Sequence, residues 1–323
     1  MLDYSIRRVI LLLPTLILGS MVLFFSMRVL PVQDAADLQL ASLDLQTAEG
    51  EAQARILRRE LGLDKPLWRT YVSWSSGFLT GDWGKSLHSK RPIAEELKNR
   101  IPVSMELSLI ALFVTWVVSF PLGILSAVFQ DRGPDYILRT GAYALDSIPT
   151  FVIALLLIAY LSVYAHWAPP PMFSYIWDDP VRHLKIMILP ATVIGVGASG
   201  NLIRFTRTFL LEVLRQDYIR TARSKGLPER TVMSRHALRN LAIPFVTIIG
   251  GTIPGLLSSS VVIETIFSLP GMGRYLVGAA GNLDYPVVMT ITMFFAIITL
   301  TSQLITDLAY AWVDPRVSYA RGR

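Results

Sequence analysis

The sequence contains no cysteine, so neither a disulfide framework nor a thiolate metal site is available to it. Charged residues are also scarce, at 17% of 323 positions, whereas soluble domains carry about 25%. Hydrophobic residues instead make up 52%, and the mean hydropathy is +0.47. This composition indicates a chain that places much of its length in a lipid bilayer.

Nucleotide-binding and catalytic motifs are absent as well. Gly84-Lys85-Ser86 resembles the end of a phosphate-binding loop, but the glycine required five positions before Gly84 is replaced by Leu79. The four histidines lack the spacing of a helix-borne metal site, and no Gly-x-Ser-x-Gly motif occurs. We therefore expect no catalytic residue, metal or cofactor in this chain, and no ATP hydrolysis by it.

Two glycine patterns are better explained by helix packing than by ligand binding. Gly195, Gly197 and Gly200 have the spacing of a dinucleotide-binding motif, but they lie in an apolar segment with no preceding strand. Gly251 and Gly255 form a Gly-x-x-x-Gly pair in another apolar segment. Small residues let membrane helices approach closely, so we predict packing contacts at all five positions.

Six apolar stretches approach the roughly 20 residues that a helix needs to cross a hydrocarbon core. They are residues 9–27, 107–129, 147–165, 186–203, 241–263 and 286–306. Prolines interrupt most of them, which a bundle tolerates because neighbouring helices satisfy the freed carbonyl groups. A retained first helix is favoured over a cleaved signal peptide, because the run 9–27 is longer than a signal-peptide core and no clear cleavage site follows.

Lysine and arginine concentrate in four segments, namely Arg7 and Arg8, Arg132 and Arg139, the loop 204–240, and Arg316, Arg321 and Arg323. With six spans all four segments face one side, which the positive-inside rule identifies as the cytosol. Topology thus explains the net charge of +6 without a nucleic-acid partner. The sequence predicts an all-α membrane protein with six transmembrane helices and both termini in the cytosol.

This topology divides the chain into four parts. Residues 1–30 form the amino-terminal tail and first helix, 31–102 a small extracytoplasmic domain, 103–313 the transmembrane core, and 314–323 a cytosolic tail. In the extracytoplasmic part, residues 41–61 have the pattern of an amphipathic helix. Five aromatic residues follow and suit a membrane interface, although a loosely ordered loop is the alternative; they are Trp68, Tyr71, Trp74, Phe78 and Trp83.

The loop 204–240 predicts two consecutive helices. Apolar residues recur every three to four positions over 208–225 and predict the first helix; they are Leu210, Val213, Leu214, Tyr218, Thr221 and Ala222. Gly226 suits a position with positive φ after that helix, and Pro228 suits the first position of the next. The second helix runs to about Leu238 and has an apolar face of Val232, Met233 and Ala237. The pattern leaves open whether this helix lies on lipid or docks into another protein.

The segment 217–228 has the sequence DYIRTARSKGLP and resembles the EAA loop of bacterial binding-protein-dependent ABC importer permeases. Arg220, Thr221, Ala222 and Gly226 stand where the general loop has Glu, Ala, Ala and Gly, and the dipeptide/oligopeptide/nickel branch has this Arg-Thr-Ala form. Runs at 61–67, 81–86, 262–273, 284–287 and 314–316 also resemble that branch. The sequence departs from the branch at 30–35, where a longer insert follows, and at Asp146, where an uncharged residue is usual.

The resemblance implies the type I ABC importer transmembrane fold in a bacterial inner membrane. It implies a homologous permease, two cytosolic ATP-binding subunits and an extracytoplasmic solute-binding protein as partners. Peptides are the favoured solutes, with nickel or glutathione as alternatives and a self-contained secondary transporter as the main rival. The implied coupling helix, 226–236, and the residues before it would contact the ATPase subunit; the candidates are Thr221, Ala222, Gly226, Leu227, Pro228, Glu229, Arg230, Val232, Met233 and His236.

Ionisable residues inside a span are expensive and normally face protein or water. Glu264 and Asp307 lie near the ends of predicted spans, where a structural role is favoured. Asp146 is the better candidate for the translocation pathway, although a structural role is equally open. Ser258 and Glu264 complete the pathway candidates. We further expect Glu229 and Arg230 to meet opposite charges on the ATPase subunit.

Overall fold

The computed structural model describes residues 2–29 and 65–313, together with Thr47, Ala52 and Arg55. Apart from these three residues, the predicted amphipathic helix 41–61 lies outside the described residues, and so do the departure at 30–35 and the tail 314–323. In chain order the helices are α1 (Leu2–Val29), α2 (Leu67–Thr80), α3 (Ile93–Val128), α4 (Gly133–Ser147), α5 (Thr150–Ala165), α6 (Pro180–Gly197), α7 (Ser199–Leu214), α8 (Asp217–Ser224), α9 (Glu229–Thr231), the π-helix π1 (Val232–Ala237), α10 (Leu238–Ile266), α11 (Met272–Gly281) and α12 (Tyr285–Val313).

Three of the described helices are long and apolar enough to cross a membrane alone, namely Arg8–Met27 within α1, α3, and Tyr285–Ala309 within α12. Two bent pairs raise the number to five if each pair is one span. The α4–α5 pair bends by 98° and the α6–α7 pair by 48°. The structure therefore confirms an all-helical chain with membrane-spanning helices, while six spans stay a prediction. The 29-residue α10 contains the predicted span 241–263.

Proline chemistry places the sharp bend between α4 and α5. The residue before a proline is pushed out of the helical region, and Ile148 is extended, with φ −95° and ψ 120°. Pro149 then caps the start of α5. The apolar run predicted as one span from residue 147 thus begins at a bend.

The glycines of the dinucleotide-like pattern are confirmed as packing positions. A Cβ added at Gly195 would lie 2.7 Å from the carbonyl oxygen of Ala111, and one at Gly197 would lie 2.9 Å from Thr150 Oγ1. Gly200 meets the Ala142 carbonyl still more closely. A larger residue at Gly195 or Gly200 would have to displace a backbone carbonyl, and one at Gly197 would have to displace the side chain of Thr150.

Packing at the Gly-x-x-x-Gly pair is not found among the described residues of this chain, so packing against another chain stays a prediction. A Cβ added at Gly251 or Gly255 would meet no atom within 4 Å among the residues that the structure describes. Both glycines are exposed, and so is Ser258 two turns later. Spacings of four and three residues place all three on one open face of α10.

The chain divides into two compact units. The first comprises Met1–Val9, Pro102–Arg274 and Thr301–Arg323, and the second Ile10–Ile101 and Tyr275–Leu300. The first has a core of buried residues from α3, α5, α6 and α10 and the turn after α10, among them Leu107, Ala154 and Ile194. The second is held by a series of aromatic contacts that begins at Phe24 and Tyr71 and ends at Trp83 and Phe294.

The Gly84-Lys85-Ser86 segment holds a carboxylate of its own chain. Asp284 is buried, and its carboxylate accepts hydrogen bonds from the Ser86 hydroxyl and from the backbone N–H groups of Leu87 (3.1 Å) and His88 (3.3 Å). The N–H of Ile93 closes the loop by donating to the carbonyl of Gly84 at 3.0 Å. The resemblance to a phosphate loop therefore reflects a similar nest of N–H donors, filled here by Asp284.

Candidate coupling site and translocation segments

Gly226 turns the chain sharply after α8, as predicted. Its φ is +75°, and the hydrogen bonds of a Schellman motif surround it. The N–H of Gly226 donates to the carbonyl of Arg223 at 2.9 Å, and the N–H of Leu227 donates to that of Ala222 at 3.4 Å. A Cβ added at Gly226 would meet nothing within 4 Å. Glycine is therefore favoured here by its backbone conformation and not by crowding.

The prediction of one helix over 208–225 is wrong. Helix α7 ends at Leu214 and α8 begins at Asp217, because Gln216 is extended, with φ −70° and ψ 150°. The break shifts the phase of the second helix, so Ile219 becomes fully buried where the pattern favoured Tyr218. Tyr218 and Thr221 are exposed instead.

The second predicted helix is also organised differently. Pro228 is the cap before α9 and not its first residue. Only three residues are α-helical before π1, which continues directly into α10. Val232 and Ala237 are buried as the apolar pattern predicts, and Met233 is half-buried. Such π-helical turns are rare and occur frequently at functional sites.

The apolar face of this segment is filled within the chain. One buried cluster joins residues of α3, α7, α8 and π1; its members are Ala127, Leu210, Val213, Ile219, Ala222, Val232 and Ala237. Neither a bilayer nor a partner is needed to cover these side chains. The apolar face thus does not need the outside partner that the pattern suggested, whereas docking of this segment on an ATPase subunit stays a prediction. Of the predicted coupling residues, Ala222 and Val232 belong to the buried cluster.

The surface left open around the turn is mostly polar. We define the Gly226 rim as residues 223–230, all of which are exposed, including Leu227 at 38%. Met233 and His236 are half-buried beside it. Of the predicted coupling residues, Gly226, Leu227, Pro228, Glu229 and Arg230 therefore lie on one continuous exposed stretch.

Glu229 already has a partner inside the rim. The guanidinium of Arg223 donates to it twice, through Nε at 3.1 Å and Nη2 at 2.6 Å. This hydrogen bonding holds the pKa of Glu229 below its ordinary value. Among the described residues Arg230 makes no ion pair within the chain. Arg230 is thus the charged residue of the predicted pair that is open to a partner.

Glu264 is a buried structural carboxylate. It is fully buried on α10, accepts a hydrogen bond from Ser104 Oγ at 2.6 Å and another from the N–H of Arg274 at 3.1 Å. A Cβ added at Gly271 would collide with its carboxyl oxygens. Glu264 therefore secures the turn between α10 and α11 against α3, which fits the structural role that its position favoured.

The other pathway candidates have different surroundings. Asp146 lies at the end of α4 and pairs with Arg204, 2.5 Å away, whose guanidinium also stacks on Tyr143. Ser258 lies on the open face of α10, where its hydroxyl donates to the carbonyl of Pro254. Of the three pathway candidates, Glu264 is therefore buried, Asp146 is exposed but paired with Arg204, and Ser258 is exposed on α10. Asp307, for which a structural role was favoured, pairs with Arg8 at 2.8 Å.

Two buried polar pairs were missed by the sequence analysis. The carboxylate of Asp135 is fully buried and accepts hydrogen bonds from Arg207 Nε (2.7 Å) and Nη2 (2.6 Å), Ser126 Oγ (2.5 Å) and the N–H of Asp131 (2.9 Å). These bonds join α3, α4 and α7. The sequence offers one signal for this pair, namely Asp135, an acidic residue between Arg132 and Arg139. The charge of this segment was explained by membrane topology alone.

The second missed pair is His183 with Glu106. The buried imidazole contacts the Ser174 carbonyl through Nδ1 at 2.7 Å and Glu106 Oε1 through Nε2 at 2.6 Å. Each ring nitrogen thus lies within hydrogen-bonding distance of an oxygen atom. It ties the start of α6 to α3. A lone histidine in a loop gave no sequence signal for this contact.

The fold and the coupling segment can now be compared with known proteins. A family model described as the binding-protein-dependent transport system inner membrane component matches residues 119–319. The chain belongs to this family. It is 35% identical over 321 residues to the glutathione transport system permease protein GsiC of Escherichia coli K12, with 99% of this chain and 100% of that protein covered. GsiC of Shigella dysenteriae serotype 1 (strain Sd197) matches equally.

Solved structures show the fold of this permease family. A structure of inward-facing conformations of the MetNI methionine ABC transporter aligns with a TM-score of 0.55 and 17% identity, covering 68% of this chain and 96% of that one. The chain is therefore a permease subunit of an ABC importer with a type I fold. It is a membrane-embedded transport subunit and not a member of a catalytic family.

Proposed function

We propose that this permease subunit forms half of the translocation pathway of an ATP-driven importer for small peptides, with the tripeptide glutathione as the first solute to test. The full-length similarity to glutathione permeases supports this solute class. The Gly226 rim is the observation that supports ATP-driven transport, because it is an exposed polar surface that rests on a buried cluster of the same chain. A self-contained transporter has no evident use for such a surface.

The proposed topology has six spans with both termini in the cytosol of a bacterial inner membrane. Helix α10 supplies the fifth span, and α12 the sixth. The partners would be a homologous permease, two ATP-binding subunits and a solute-binding protein. The open face of α10, formed by Gly251, Gly255 and Ser258, supports a contact with the sister permease or the solute, since no described residue of this chain covers it.

At the rim, Arg230 would form a salt bridge with an acidic residue of the ATPase subunit, while Arg223 and Glu229 shape the turn. Leu227, 38% exposed, would supply the apolar contact at its centre. Protein interfaces commonly have an apolar centre surrounded by polar residues, and a leucine buried among charged groups would fit that pattern. Coupling would therefore depend on residues 226–230 more than on the buried residues of π1.

The test is ATP-dependent uptake of radiolabelled glutathione and of a dipeptide by the complex purified through a tag on this chain and reconstituted in liposomes. Arg230→Glu should lower both the recovered ATPase subunit and the uptake per ATP hydrolysed. Arg215→Glu is the matched control, since it makes the same charge change at an exposed position outside the rim. Uptake by this chain alone without ATP would overturn the importer proposal, and equal effects of both variants would overturn the role of the rim.

A further inference from the structure

Helix α2 presents three kinds of surface around its circumference. At 100° per residue, Tyr71, Trp74 and Phe78 lie on one side and are half-buried. Next to them comes an exposed apolar stripe, in which Trp68 is 61%, Val72 54% and Leu79 86% exposed. The exposed residues beyond this stripe are polar, namely Arg69, Ser73, Ser76 and Thr80. The apolar arc of α2 is therefore only half covered by the chain.

The covered half of the arc packs against α1 and α12 within the same compact unit. Tyr71 and Trp74 contact Phe24 of α1, with ring centroids 5.5 Å and 5.7 Å apart. Phe78 contacts Phe294 of α12 at 5.5 Å. The hydroxyls of Tyr71 and Ser20 are 2.8 Å apart. Both supporting helices contain candidate membrane spans.

These contacts set the level of α2 along the candidate membrane span of α1. The apolar span of α1 is Arg8–Met27, so Ser20 lies seven residues before its end (27 − 20 = 7). At 1.5 Å per residue this places the Ser20–Tyr71 contact about 10 Å inside the end of the span. The surface of α1 beside these contacts is itself open and apolar, with Ile17 54% and Met21 38% exposed.

Three hydroxyl groups of α2 donate to its own backbone. Ser75 donates to the carbonyl of Val72 at 3.1 Å, Ser76 to that of Ser73 at 3.0 Å, and Thr80 to that of Ser76 at 3.1 Å. A helix in contact with lipid needs such bonds, because no water is available to its polar groups. The guanidinium of Arg69 lies 5.1 Å from the Trp68 ring centroid, an arrangement suited to a membrane interface.

We infer that α2 is immersed in the outer part of the bilayer, with Trp68, Val72 and Leu79 in contact with lipid acyl chains and the Arg69–Ser73 side at the headgroups. Lipid is the partner that this stripe fits, because α2 packs against the candidate span of α1 next to the exposed apolar residues Ile17 and Met21. Which leaflet holds α2 rests on the proposed topology, whereas its immersion does not.

The absence of cysteine makes a direct test possible, since each introduced cysteine is the only labelling site. Single variants Trp68→Cys, Val72→Cys and Leu79→Cys would be spin-labelled in nanodiscs of phosphatidylcholine and phosphatidylglycerol. Collision with oxygen, which partitions into lipid, is compared with collision with a water-soluble nickel chelate. Leu18→Cys on α1 provides the lipid reference, while Ser73→Cys and Thr80→Cys on the polar side of α2 provide matched controls.

The three stripe positions should favour oxygen over the nickel chelate by at least several-fold relative to Ser73→Cys, approaching the ratio at Leu18→Cys. Equal nickel access at stripe and control positions would place α2 in water and overturn the inference. Poor access by both reagents at the stripe alone would show that a protein surface covers it, which also overturns the assignment to lipid. Neither result depends on ATP, solute or partner subunits, so failure here is distinguishable from failure of the proposed transport function.

Discussion

Replacement of Asp135 by asparagine should destabilise this permease strongly. The side chain of Asp135 has no exposed surface, and that of Arg207 has 15%. An amide in place of the carboxylate leaves the guanidinium facing an uncharged group that is partly a donor itself. Removal of one partner of a buried ion pair costs about 3–5 kcal/mol. We expect a loss of about 3 kcal/mol, at the lower end of that range, because water reaches the edge of Arg207.

The loss can be measured by reversible unfolding in mixed micelles, followed by the fluorescence of the seven tryptophans. Asp217→Asn is the matched control, since it makes the same chemical change in the pair with Arg220. That pair is 3.5 Å long, and its side chains are 94% and 78% exposed. An exposed pair of this kind contributes about 0.5 kcal/mol or less.

The double variant Asp135→Asn/Arg207→Gln tests the cause of the loss. If the unpaired charge is responsible, neutralising Arg207 as well should recover about 1 kcal/mol or more of the loss caused by Asp135→Asn alone. Strictly additive losses would refute the reasoning. So would a loss at Asp135 no larger than that at Asp217.

Three further predictions concern the turns. Gly226→Ala should cost about 1–2 kcal/mol of unfolding free energy because φ is +75°, and Gly226→Asn should cost less; equal losses would show that backbone strain is not the cause. Since Arg223 lowers the pKa of Glu229, this ion pair stabilises the fold above the ordinary Glu pKa of 4.5 and is lost as the pH falls below it. The stability difference between wild type and Glu229→Gln, about 1 kcal/mol or less for an exposed pair, should therefore shrink from pH 7 to pH 3.5. Asp284→Asn should increase hydrogen exchange at the backbone N–H groups of residues 87–88 by weakening charge-assisted hydrogen bonds, and unchanged protection would contradict the loop assignment.

Features with a local cause could be predicted from the sequence. Gly226 follows a helical pattern and precedes a proline, and both cues act within a few residues of the turn. The tight packing at Gly195 and Gly200 follows from small residues in an apolar segment. Membrane helices and family membership were likewise visible, because length, hydropathy and the 217–228 motif need no tertiary information.

Features that depend on distant partners could not be predicted. Glu264 receives its hydrogen bond from Ser104, which is 160 residues away in the sequence. The break between α7 and α8 has no proline or glycine to announce it, and it becomes understandable only when Ile219 and Leu210 are seen in one cluster. The spacing of apolar residues predicts a helix correctly on either side of the break. Which side of the second helix is buried, however, is set by tertiary packing.

The arrangement around Gly226 explains how a small exposed turn can act on the transmembrane helices. The rim has no apolar core of its own, and its support is the cluster that contains Ala127 of α3 and Leu210 of α7. Close-packed interiors resist deformation, so a displacement of the rim has to be shared by the ends of these helices. Helix π1 leads into α10 without a break, so the same displacement also reaches the helix whose open face carries Gly251, Gly255 and Ser258. The polar rim and the open face thus lie on one continuous segment, which is the connection that the proposed coupling role requires.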